Sequence, residues 1–166
     1  PVFRCRLLAL LPSLPTTESL AAVRGELKHQ DPAVQAAALR ALCEWPNADS
    51  FGDLLACVGE AKDDRSRAAA YQGALKLLQS PKAGTPAQRL EMLRRAAALA
   101  KTPQDKSLVL ATLSALPDLA ALRMAREYLA DAAVKEAACA AIVRIASGVG
   151  LEHKEELAAA LKTVLE

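Results

Sequence analysis

The residues able to do chemistry are few and scattered. His29 and His153 each lack a second metal ligand three or four positions away, so they read as solvated histidines at polar helix ends. Cys5, Cys43, Cys57 and Cys139 show no CxxC or Cys/His spacing, which argues against zinc. Cys5 and Cys139 fall on an apolar helical slot and read as small core residues. Cys43 and Cys57 lie at different heights of two neighbouring helices, on the order of 10 Å apart along the axis, too far for a disulfide. Asp63-Asp64 has the form of a carboxylate pair, but at a helix start N-capping accounts for it. Glu155-Glu156 reads as a solvated face. Trp45, the single tryptophan, reads as core, in register with Leu11 and Leu116. No Gly-rich phosphate loop or nucleophile elbow occurs. The sequence therefore predicts no enzyme, no catalytic residue, no metal and no cofactor.

The elements that carry these residues share one repeated pattern, clearest in Asp31 to Pro46, DPAVQAAALRALCEWP. Asp31 is suited to the N-cap and Pro32 to the first helical position. Val34, Ala38, Ala41, Leu42 and Trp45 then form an apolar stripe, and Pro46 is expected to end the helix. Asp63, Thr102 and Asp131 open further copies at spacings of 32, 39 and 29 residues, and Pro12 closes a truncated earlier one. Leu113 and Ile142 fall on Leu42. Between the copies lie partner helices: one from Thr16 or Thr17 to about Lys28, one from Asp49 or Ser50, one opened by the capping box Thr85-Pro86-Ala87-Gln88 and running to about Ala100, and one capped by Asp118. SPKAG, residues 80–84, is expected to be the longest break. Ser147-Gly148 should close the last copy with a left-handed glycine, and Leu157, Leu161, Val164 and Leu165 stripe a final helix.

The class is all-α: 166 residues, 52% hydrophobic, only 3% aromatic, suited to one domain over 1–166 of about nine helices in antiparallel pairs without strands. A net charge of +2 does not by itself call for a polyanionic partner. No apolar run approaches the roughly 20 residues of a membrane span. The chain opens at Pro1, partway through a copy, and so reads as a fragment of a longer protein. Its opening segment Val2 to Leu11 carries Phe3, Leu7, Leu8, Leu10 and Leu11 with only Arg4 and Arg6 as charges, and is expected to self-associate.

Asp31-Pro32-Ala33-Val34-Gln35-Ala36-Ala37 and Asp131-Ala132-Ala133-Val134-Lys135-Glu136-Ala137 resemble the second-helix signature of HEAT-type repeats, Asp-Pro-x-Val-Arg-x-x-Ala, with Gln35, Arg67, Lys106 and Lys135 at the arginine position. The resemblance implies an α-α superhelix, a HEAT-like solenoid of about four antiparallel helix pairs plus a leading half repeat, of a degenerate kind found in many large bacterial proteins. It implies a scaffold whose second helices line a concave side and hold a protein or a neighbouring domain of the same chain. Arg6, Arg40, Arg65, Gln72, Lys76, Gln104, Ser107, Glu136 and Arg144 would then form the partner-binding face. A nucleic-acid backbone is the second reading, but the cationic row Arg6, Arg40, Arg65, Lys76 fails at Gln104, Ser107 and Ala111. A regulatory or lyase-associated subunit is the third, by likeness to HEAT-like bilin lyases, although no catalytic residue supports it.

Overall fold

A computed structural model describes residues 1–150 and 153–165. Ten α-helices and no strand occur among them, one more helix than expected. The chain forms two compact units, 1–84 and 85–166.

The first unit holds α1 (Val2–Leu10), α2 (Thr17–Glu26), α3 (Pro32–Cys43), α4 (Phe51–Glu60) and α5 (Asp64–Leu78). Its helix starts arise from local chemistry: side chains of Thr16, Asp31 and Asp63 accept the backbone N–H groups of Ser19, Ala33 and Ser66 at 3.1, 2.8 and 2.8 Å. Helix α3 packs against both α1 and α5, so three copies of the pattern lie side by side, while α2 rests on α3 and α4 on α5. Val34, Ala38, Leu42, Trp45, Leu54, Tyr71 and Leu78 fill the core between them.

Three boundaries differ from expectation. Helix α3 stops at Cys43, three residues before Pro46, and a turn carries Trp45 into the core. Asn47, not Asp49 or Ser50, caps the next element, a 3-10 turn Ala48–Ser50 continuous with α4. The buried Ser50 hydroxyl instead donates to the Leu42 carbonyl at 3.1 Å, sharing an acceptor that also takes the Trp45 N–H where α3 ends. SPKAG is ordered as a 3-10 turn, Pro81–Ala83, capped by Ser80 and succeeded by Gly84 at φ 122°, a left-handed conformation that favours glycine.

The second unit holds α6 (Pro86–Ala97), α7 (Pro103–Leu113), α8 (Leu119–Glu127), α9 (Lys135–Gly148) and α10 (Lys154–Leu165). Thr85 and Gln88 form the expected capping box. Thr102 and Asp105 form a second one, and the buried Asp105 carboxylate also accepts the Lys101 N–H at 3.0 Å. Helix α9 packs against α7, α8 and α10. It begins at Lys135, after a turn, because Asp131 caps that turn by accepting the Ala133 N–H and gives its other oxygen to Lys106 of α7 at 2.5 Å. Gly148 is not left-handed. It lies inside α9, where an added Cβ would come 2.7 Å from the Pro117 Cβ, so glycine serves close packing there. Leu165 lies in α10, but its burial, like the structure of 151, 152 and 166, is outside the described residues.

Candidate functional site

In the first unit, Arg6, Arg40 and Gln72 occupy the same position of the pattern on α1, α3 and α5. All three are exposed, on helices packed side by side, because this position lies opposite the buried stripe. Arg65 in the first turn of α5 and Lys76 in its last are also exposed. No carboxylate forms an ion pair with any of these four cations among the described residues. The helix surface thus offers free positive charge beside exposed Ala33 and Ala36.

In the second unit, Gln104 is exposed at the start of α7 and Ser107 is half-buried, so the serine offers less surface than expected. Glu136 and Arg144 are exposed on α9. A shallow depression of about 450 Å³ runs along α9, lined by Ala133, Val134, Glu136, Ala137 and Ala140. Small side chains with one carboxylate at the edge suit contact with a protein surface more than covalent chemistry.

Two features escaped the sequence reading. A broader depression of about 590 Å³ in the second unit is lined by Arg123, Arg126, Glu127, Leu129, Lys135 and Thr163. Arg123 and Arg126 lie three residues apart on α8 and Lys135 opens α9, so the helical period already sets two of its cations on one face. The other is a set of ion pairs tying one helix to the next. Arg24 of α2 clasps Asp53 of α4 at 2.8 Å, and Arg123 of α8 clasps Glu156 of α10 at 2.6 Å. Lys106, at the arginine position of its copy, reaches Asp131 of the next.

The titration of these groups has structural causes. The hydrogen bond from Lys106 holds Asp131 below the usual carboxylate range, and Arg123 does the same for Glu156. Burial, helped by Cys57, pushes the Cys43 thiol up to about 11, and burial also raises Cys57. All four cysteines are free thiols, each half-buried, so Cys5 and Cys139 are less enclosed than core residues. His29 is half-buried and its Nδ1 accepts the Asp31 N–H at 3.0 Å, while His153 is exposed. Among the described residues no group of three His, Cys, Asp or Glu side chains is placed to hold a metal ion, and no helix is long and apolar enough to cross a membrane.

No protein-family model matches the chain, and no curated protein or solved structure does so either.

Proposed function

We propose that the chain is built of HEAT-like repeats and acts as a non-catalytic scaffold that binds a protein partner along the exposed side of its pattern helices. The observation that carries this reading is the repetition of one packing arrangement, α1 on α3 on α5 and α7 on α9, with the column Leu8, Leu42, Ala74, Leu113 and Ile142 buried in every copy. A column that keeps its burial in five helices is what stacked repeats require, since each copy covers its stripe only with its neighbours. The outward residues of the same helices are then free to meet a partner. In the first unit these are Arg6, Arg40, Arg65, Gln72 and Lys76, a surface suited to an acidic protein segment. In the second they are Gln104, Ser107, Glu136 and Arg144.

The test is capture from an extract of the source cells on three immobilised forms of the chain: the natural one, one with Arg40→Glu, Gln72→Glu and Lys76→Glu, and one with Lys28→Glu and Glu60→Lys on other positions. A protein retained by the first and third but not the second supports the reading. Equal retention by all three overturns it. Retention of plain duplex DNA that falls steeply with salt would move the assignment to nucleic-acid backbone binding.

A further inference from the structure

Three pattern helices start directly behind their caps and a fourth does not. Asp31, Asp63 and Thr102 stand immediately before α3, α5 and α7, and their carbonyls accept the N–H groups of Gln35, Arg67 and Lys106 at 3.2, 3.1 and 3.1 Å. Asp131 has the same extended backbone, φ −95° and ψ 104° against φ −82° and ψ 119° at Asp31, and likewise accepts the N–H two residues on. Its carbonyl, however, takes no bond from the Lys135 N–H. Val134 lies at φ −134° and ψ 8°, outside the helical range, and α9 begins after it with no side chain capping its start.

Local sequence does not explain the delay. Ala132 and Ala133 are of the strongest helix-forming type. Helix α5 starts at once without a proline, after the connection 61–63, which is shorter than 128–131. Burial does not require the turn either, since Val134 is 2% exposed and Val34, at the same position, is fully buried within helical α3. What sets Asp131 apart is Lys106 of α7, whose amine holds the carboxylate oxygen that the cap leaves over. Asp31 and Asp63 form no ion pair among the described residues.

We propose that the Lys106–Asp131 pair is a catch that holds 132–134 out of α9, and that withdrawing Lys106 lets them join the helix with Asp131 as its N-cap. The two side chains are 34% and 30% exposed, so the pair is open to solvent and breaks without emptying the core. Loss of the lysine's charge, or a stronger anion drawing the amine away, is the trigger. Ala132, Ala133 and Val134 line the depression along α9, so release also remodels that surface.

Backbone Cα chemical shifts and amide exchange across 131–138 of the full chain test this without reference to any partner. The natural chain should show non-helical shifts at 132–134. Lys106→Met, which keeps the apolar stem and removes the charge, should move them to helical values and slow exchange of the Lys135 amide several-fold as its bond to Asp131 forms. Asp131→Asn should do the same even if Lys106→Met fails to fold, because asparagine caps about as well as aspartate but offers the amine no charge. A gain of helix is a response that simple loss of an ion pair does not give. Helical shifts at 132–134 already in the natural chain, or non-helical ones retained in either variant that folds, would overturn the proposal.

Discussion

Gly73 shows how closely two neighbouring pattern helices approach. An added Cβ would overlap the Cys43 Sγ and sit 3.0 Å from its Cβ. Alanine in a helix interior gains about 1 kcal/mol over glycine, but overpacking a filled contact costs about 1–3 kcal/mol. The thiol can rotate away and the Cβ cannot, so Gly73→Ala is expected to lower stability in denaturant melts. In a Cys43→Ala background the same change should cost less, which a double-mutant cycle reads directly. The Cys43 thiol itself, pushed up to about 11 by burial, should alkylate slowly at pH 8 and keep accelerating toward pH 11, as site-resolved mass spectrometry would show. Close contacts of this kind are the least legible part of the sequence. Gly148 carries the signature of a helix terminator, yet its role comes from Pro117 of a different loop, which no local pattern reveals.

Most helix starts were readable, those of α4 and α9 excepted, because a cap is a residue type at a fixed spacing from the groups it satisfies. Thr16, Asp31, Asp63, Thr85, Thr102 and Asp118 each cap as their positions imply. Helix ends were not, since α3 stops where Trp45 must turn inward and Ser50 must reach Leu42. Exposure of the candidate face was largely legible from the helical period, with Ser107 the clear departure, while Asp105 was missed although Thr-x-x-Asp is a capping spacing. Removing that cap by Thr102→Ala should cost about 1 kcal/mol, and Asp105→Ala more, since the carboxylate serves two backbone donors. The ties between helices give a pH dependence. Asp131 and Glu156 are held below their ordinary values of 3.8 and 4.5. A carboxylate lowered in the fold stabilises it above the unfolded value, and the contribution is lost as pH falls through the folded one. The melting temperature should therefore fall as pH drops through and below these two values. Arg123→Gln should remove the Glu156 share of that slope.

At the scale of the molecule, each unit has its own core, and burial there decides how far damage spreads. Leu42 is fully buried in the first unit, at the position that Leu113 and Ile142 hold in the second. Emptying such a site costs about 2–5 kcal/mol, the lost transfer free energy plus the cavity left behind. In a stack where each copy touches only its neighbours, that loss falls first on the helices lining the site, here α3 with α1, α2, α4 and α5. Leu42→Ala should therefore raise amide exchange across residues 1–84 well before it does so across 85–166. Ile142→Ala should do the reverse. Equal loss of protection over both ranges would mean that the chain unfolds as one cooperative block, and a loss below about 0.5 kcal/mol, the scale of a neutral surface change, would mean that the Leu42 column does not hold the helices together.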